Sequence, residues 1–459
     1  MPRTKNTIFA VLHRIMCSKA KPTETSQEGA STPPCDKFVV PPRKRGDLVK
    51  VAQKMLWVLF TFFYINLMDA TALANQHDTS EDDLSQNEIK TVLDSDPYIS
   101  ARAAGMGGAL STLADGVHAP FYNPAGIGGL HWEKTKPPII RQFHFPYLGA
   151  GANENAVSLN KEFKKTDGSA EKTVGQSIID AYSGKRQYAR ASGMFSFVLS
   201  RFTILQSSDI QFAAFRKSEN NQTPLTPEES TINAKYRSNS STGAGLSVTD
   251  PKGTFYLGVF SAYSQRKVFS GDFSYDQLVR REDRQADIST KMKHYSGVST
   301  NVGMLWLLGQ YGRPSLAVVS KNVGKSFYHL KNIDADTAAE DKTIVENDDL
   351  TIGFSVSPHI GKSGAFNFIV EGHHLTDKEV SLNKKFRTAM EFNFGGFGSE
   401  ATLGIRTGYN LAGISGGLNL NLDLIQFEIA SQAEDIGIGN RHVVERRNVG
   451  VFSVNVLYE

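Results

Sequence analysis

Several stretches of the chain place reactive residue types at spacings that chemistry could use. Asn322-Val-Gly-Lys-Ser326 ends like a phosphate-binding loop, in which backbone N–H groups and the Lys cradle a nucleotide. The first Gly of such a loop belongs at position 319, which is Val319, and no helix signal follows Ser326. A nucleotide site is therefore not expected. Gly105-Met-Gly-Gly108 opens like a dinucleotide fingerprint but lacks its third Gly and any βαβ surroundings. His373 and His374, with Glu371 and Asp377 nearby, offer metal-ligand chemistry. On a strand, adjacent residues point to opposite faces, which keeps both imidazoles out of one site. Cys17 and Cys35 are the only thiols, and no spacing suggests a Ser-His-Asp or Cys-His nucleophile. Arg280-Arg281 and Arg446-Arg447 read as headgroup or turn charges rather than nucleic-acid contacts. The expectation is a protein that is not an enzyme, with no cofactor, no metal and no nucleic-acid partner.

The elements that carry these residues begin with what reads as an address. The net charge of +3 averages two unlike parts. Residues 1–74 hold 11 Lys/Arg against 5 Asp/Glu, and the other 385 hold 39 against 42. Residues 1–47 are polar, Pro- and Lys-rich, and show no hydrophobic period. Lys50 and Lys54 then precede an apolar run of 13 residues, Leu56 to Met68, followed by Ala72-Leu-Ala74. A basic region, an apolar region and a small-residue cleavage site make a signal peptide over 48–74, cleaved at Ala72 and Ala74. Thirteen residues rise only about 20 Å as a helix, short of a roughly 30 Å hydrocarbon core, which disfavours a permanent span. A signal so far along predicts translation starting between Leu48 and Met55, with 1–47 a non-native or disordered extension; N-terminal sequencing that reads from Met1 would overturn this. No Cys follows the apolar run, so no lipid anchor is expected, and a cysteine-free mature chain suits an oxidising compartment.

Residues 75–96 carry seven acidic residues and one Lys, the composition of a flexible, solvated leader. From 97 to 130 the text turns Gly- and Ala-rich, with a short helix expected within Ala101 to Asp115 and a turn forced at Asn123-Pro124. Beyond 138, alternation takes over. Ile352, Phe354 and Val356 share one face; Met390, Phe392 and Phe394 oppose Glu391 and Asn393; Leu418, Leu420 and Leu422 oppose Asn419, Asn421 and Asp423. About fourteen to sixteen such runs of roughly 9–12 residues are separated by turn-forming residues, with longer polar insertions near 164–187, 217–230 and 327–348.

A soluble sandwich or barrel would bury those apolar faces; an outer-membrane barrel would turn them to lipid and line its lumen with the polar ones. Run length suits a tilted bilayer-crossing strand. Mid-strand Glu371, Glu391, Arg406, Asn419, Asn421 and Glu428 suit a wet lumen, and Gly is enriched, 38 of the last 385 residues against a usual 7% or so. With the export signal, these favour an all-β fold: a transmembrane antiparallel up-and-down barrel of about 14 strands over 138–459, in a bacterial cell outer membrane and in contact with its lipid.

Ala101-Arg-Ala-Ala-Gly-Met-Gly-Gly-Ala109, Leu113-Ala-Asp-Gly116 and Phe121-Tyr-Asn-Pro-Ala-Gly126 together resemble the start of mature FadL-like outer-membrane transport proteins, and more closely their smaller PorV-like relatives. Ser320-Lys-Asn-Val-Gly324, Glu371-Gly-His-His-Leu375, Leu403 to Tyr409 and Gly416 to Leu420 resemble the same group, less specifically. The resemblance implies a 14-stranded barrel whose N-terminal segment, 97–137, folds into the lumen as a hatch, with Asn123-Pro124-Ala125 near the plug. FadL-like proteins take up a hydrophobic ligand and release it sideways when the hatch shifts; PorV-like ones serve as partners for secreted cargo. The chain departs from the usual barrel ending, since Tyr458 stands one place before the last residue, Glu459. Gly105, Gly107, Gly108 and Gly126 lack side chains, so their segment can pack closely and bend. Two functions follow as expectations: hatch-gated passage of fatty-acid-like hydrophobic small molecules, or a platform for an envelope protein partner in secretion or conjugation. No ligand-binding residue is assigned.

Overall fold

The computed structural model describes residues 98–127, 141–156, 186–217, 231–274, 288, 290–309, 312–331, 343–360, 364–378, 380–395, 401–422, 424–436 and 443–458. The extension, the signal peptide with Ala72 and Ala74, the leader, and residues 128–137 of the expected hatch lie outside them.

Seventeen strands form one antiparallel sheet. They are β1 Arg141–Asn153, β2 Gln187–Leu199, β3 Phe202–Lys217, β4 Thr231–Thr249, β5 Phe255–Ser274, β6 Lys293–Leu307, β7 Ser315–Lys321, β8 Ser326–Leu330, β9 Thr343–Glu346, β10 Asp349–Val356, β11 His359–Ile360, β12 Gly364–Gly372, β13 Phe386–Gly395, β14 Ala401–Asn410, β15 Gly413–Leu422, β16 Ile425–Asp435 and β17 Val444–Tyr458. The sheet closes where β1 pairs with both β2 and β17, and β10 pairs with both β7 and β12. The closed ring has 14 strands, because β8, β9 and β11 are continuations of interrupted staves.

Orientation of the side chains decides what kind of barrel this is. Leu246, Val248, Leu257, Val259, Phe354, Met390, Phe392, Leu420 and Phe427 are exposed on the outer wall. Their alternating neighbours Asp209, Gln211, Ser241, Arg266, Glu391, Arg406 and Glu428 are buried. Greasy outside and polar inside is the inverse of a water-soluble core. A closed sheet is also the only β architecture that leaves no backbone group unpaired in hydrocarbon. This is the construction of an outer-membrane barrel. Short connections such as 200–201, 250–254 and 423–424 gather at the end holding Arg141 and Tyr458. Longer ones, 154–186, 218–230, 275–292, 331–342 and 373–385, gather at the other. Since short turns of such barrels face the periplasm, the end bearing Arg141 does so too.

The wall is taller on one side than the run lengths in the sequence suggest. β4 has 19 residues and β5 has 20, against 9 to 11 for β12 to β16. Above the lipid-facing belt, the outer faces of β3 to β5 carry Ala214, Ile232, Ala234, Phe269 and Phe273, covered by Ile288 and Met292 of the β5–β6 connection. Tight turns are set locally. In the β4–β5 turn, Asp250 accepts from the N–H groups of Thr254 and Phe255 (2.6 and 2.8 Å) while Gly253 takes φ +67°. Those donors, Phe255 first, hold the Asp250 carboxyl down at about 2.

Candidate functional site in the barrel lumen

Residues 98–127 lie against the inner faces of strands around the ring. A short helix, α1 (Ala101–Gly105), starts at Ser100, whose hydroxyl accepts from Ala103 N (3.1 Å). The helix is much shorter than the Ala-rich run allows, because Gly107 and Gly108 adopt positive φ and end it. A second turn, α2 (Ala119–Tyr122), stops at Asn123. There Asn123 Oδ1 accepts from Ala125 N (3.0 Å) and Nδ2 donates to Ser111 O (2.9 Å) and Met304 O (3.4 Å), which ties the Asn-Pro-Ala turn to β6. Close approach to the wall depends on missing side chains. A Cβ on Gly258 of β5 would overlap Pro124 O, and one on Gly408 of β14 would overlap the Met106 carbonyl carbon.

Of the residues picked out by sequence, Gly105 faces Gly417 of β15, Gly107 faces Gly408, and Gly108 abuts the Arg387 guanidinium. Asn123 and Pro124 press on Gly303 of β6 and Gly258. Ala125 packs with Tyr256, Leu305, Leu307 and Ala317, and Gly126 sits against Ala114 O.

Two polar anchors hold this segment to the β10–β16 side. Arg102 grips Glu391 with both arms, Nε to Oε1 (3.0 Å) and Nη2 to Oε2 (2.8 Å), and its Nη1 reaches Asp115 (2.9 Å). Glu391 also accepts from Arg406 Nε (2.8 Å) and Asn367 Nδ2 (2.9 Å), and Arg406 continues to Glu428 (3.3 Å). At the second anchor, Glu371 Oε1 accepts from Ser111 N (2.5 Å) and Oγ (2.7 Å), and its Oε2 meets His373 Nε2 (2.7 Å). His373 leads back to Thr351 (3.4 Å), while His374 turns away at φ +53° to Asp349 (3.2 Å). The two imidazoles serve different carboxylates. Among the described residues, no group of three or more His, Cys, Asp or Glu gathers as a metal site. Neither anchor was assigned from sequence: Arg102 and Glu391 lie 289 positions apart, and no spacing announces such a pair.

The opposite side is apolar. Tyr98, Phe121, Tyr147 and Phe260 form a buried aromatic cluster, with Tyr98 and Phe121 centroids 4.3 Å apart and Phe121 and Phe260 5.7 Å apart. His118 closes it, its Nδ1 2.8 Å from the Tyr98 hydroxyl. Burial, reinforced by Arg102 and Arg406, pushes the His118 pKa well below the ordinary 6.5, so the neutral ring accepts that hydroxyl proton.

Beside this apolar half the wall is interrupted. β6 pairs with β7 up to Val302↔Ser320 and with β8 from Gly297↔Tyr328, so residues 298–301 face the longer stretch 321–327. The Asn-Val-Gly-Lys-Ser stretch, set aside above as a nucleotide loop, is this bulge. Asn322, Gly324 and Lys325 take φ of 54°, 75° and 65°. Val323 N donates to Thr300 O (2.9 Å), and Ser326 Oγ to Asn322 Oδ1 (2.9 Å). Asn301 links bulge to inner segment: its Oδ1 accepts from Asn322 N (3.2 Å) and its Nδ2 donates to Pro120 O (3.3 Å). Lys321 Nζ stands 5.2 Å from the Tyr122 ring centroid. Exposed Val298, Val302, Val323 and Phe327 place the interruption within the lipid-facing belt.

No family model matches the chain, and no curated protein does. Among solved structures it is similar in outline to the Ralstonia pickettii toluene transporter TbuX, at 10% identity and TM-score 0.44, covering 80% of this chain and 100% of that one. The Pseudomonas putida toluene transporter TodX aligns at 10% identity and TM-score 0.43, over 80% and 99%. The CymD monoaromatic hydrocarbon channel does so at 9% and 0.44, over 80% and 99%. Likeness at this level assigns the chain no family and no activity.

Proposed function

We propose that the protein is an outer-membrane channel for hydrophobic small molecules, with residues 98–127 as its movable hatch. The observation that carries this reading is the strand interruption at 321–327, set at hydrocarbon depth beside the apolar half of the lumen. Irregular backbone at that depth is tolerated where protein or a cavity backs it. Here the inner segment backs the lumen side of the bulge through Asn301 and Lys321, while Val323, Gly324 and Lys325 at its crown are exposed. A hydrophobic molecule entering from the long-loop end passes between α2 and the β5–β7 wall. It leaves sideways past Val323 and Phe327 once α2 withdraws. Selection is by apolar burial, roughly 25 cal/mol per Å², and so is loose and limited by size. The ionic anchors on the far side hold the hatch by one edge while the apolar edge opens.

Because residues 75–459 hold no cysteine, a single engineered bridge in a chain starting at 75 can test the gate. Pro120→Cys with Asn301→Cys joins hatch to bulge. In proteoliposomes carrying the oxidised double variant, uptake of labelled oleate or toluene should stop, and reductant should restore it. Undiminished uptake with the bridge formed would sink the gate. Recovery of a stoichiometric envelope protein on the purified barrel, with no bound lipophile, would favour the partner-platform reading instead.

A further inference from the structure

Toward the long-loop end of the β4–β6 wall, the outer face changes character within one turn of the pleat. Outward side chains on β5 run Leu257, Val259, Ser261, Tyr263, then Gln265 and Lys267; on β6 they run Val302, Thr300, Val298, then Ser296 and His294. Lys267 is directly opposite His294 across β5 and β6, and opposite Ser238 across β4 and β5. Lys331, just past β8, is fixed beside them by its own N–H, which donates to His294 O (2.8 Å). With Ser240 and Gln265, these residues line a cleft of about 80 Å³. Lys267, His294 and Lys331 are exposed, and among the described residues no carboxylate pairs with their side chains. The other cation of the cleft, Arg266, is engaged inward with Glu346 (2.6 Å) and the Tyr328 ring. Directly below stand exposed Tyr263, Val298, Phe327 and Val345.

We propose that this cleft holds the phosphate-bearing headgroup of an anionic glycolipid of the outer leaflet, with its acyl chains lying on the apolar wall beneath. Two ammonium groups, an imidazole and two serine hydroxyls are donors suited to phosphate oxygens. A basic cleft at headgroup level above an apolar wall matches an amphiphile at both ends, which a free anion does not require. The inference rests on the barrel spanning a membrane, and is independent of whether it conducts.

Native mass spectrometry of the full barrel in neutral detergent tests it, with three probes: bis-phosphorylated lipid A, the same lipid dephosphorylated, and inorganic phosphate. Wild-type protein should retain one phosphorylated lipid. Removal of the phosphates, or Lys267→Ala with Lys331→Ala, should weaken retention by about tenfold or more. Lys252→Ala, in the β4–β5 turn at the opposite end, should change nothing. Equal retention of both lipids, equal loss in the Lys252 variant, or displacement of the lipid by inorganic phosphate at comparable concentration each overturns the proposal. Heat-modifiable gel migration reports whether the double variant folds; should it not, the comparison of the two lipids on wild-type protein still decides.

Discussion

Glu391 is 0% exposed and lies between two guanidinium groups and an amide, in a lumen wall that could have used apolar residues at the same positions. Breaking a buried ion pair outright costs about 3–5 kcal/mol, and because Arg406 and Asn367 stay on Glu391 the loss of Arg102 should cost less than that. Arg102, with Asp115 behind it, is what the inner segment brings to the cluster, so the loss falls on docking rather than on the barrel. Arg102→Met should raise ion conductance in planar bilayers and expose residues 98–127 to protease, with the barrel still heat-modifiable. An unchanged conductance would show that the pair does not hold residues 98–127 in place. His118 adds a pH dependence whose sign follows from its neutral docked state. Its pKa is depressed on docking, so the docked form binds fewer protons. Docking strength is complete above about pH 6.5 and falls as pH drops below it. His373, pulled to about 4 by burial and then by Arg387, acts in the same direction between 6.5 and 4. Protection factors of the 98–127 amides, taken against the intrinsic exchange rate at each pH, should therefore fall from pH 7 to pH 5, and His118→Gln should flatten most of that slope.

At the scale of elements, α2 and the bulge are complementary, and each is defined by what a neighbour lacks. Gly258 and Gly303 give Pro124 and Asn123 room against β5 and β6. Gly258→Val should expel the Asn-Pro-Ala turn while leaving the β4–β5–β6 ladder intact, because Val suits a strand. The expected outcome is a folded barrel with higher conductance; a closed barrel would mean the turn relaxes in place. Much of this level was legible in the sequence. The alternation around Phe354, Phe392 and Leu420 gave strands and faces, since a period of two survives whichever side is wet. Strand lengths were less legible. β4 and β5 pass from lipid to headgroup to solvent, so their outward residues change class along the strand and read as shorter runs. The insertion expected over 327–348 is narrower, 331–342, because Phe327, Tyr328 and Val345 belong to strands. The bulge at 322–325 was visible only as Gly, Lys and Ser in a row, a composition that serves a phosphate loop or a break in a sheet equally well. The Arg102–Glu391 and Ser111–Glu371 contacts depend on ring closure and have no local signature.

For the whole molecule, the outer belt and the inner polarity are one arrangement, so the same substitution should have opposite consequences on the two faces. Val259 points outward from β5 at 41% exposure, and Ser264, on the same strand, points inward at 3%. An Arg at Val259 near mid-belt faces hydrocarbon and should cost about 2–4 kcal/mol of stability in a bilayer. Denaturant unfolding of the lipid-reconstituted barrel should register that loss as a lower midpoint with an unchanged slope. An Arg at Ser264 faces the polar interior near Ser241, which lies 2.7 Å away, and there its charge meets no lipid. Its effect should appear as altered ion selectivity or steric blockage rather than as loss of membrane stability. The two measurements together locate the lipid boundary without reference to any ligand. If Val259→Arg were tolerated in lipid as well as in water-filled surroundings, the apolar wall would have to be covered by something other than a bilayer, and both the channel and the headgroup cleft would lose their footing.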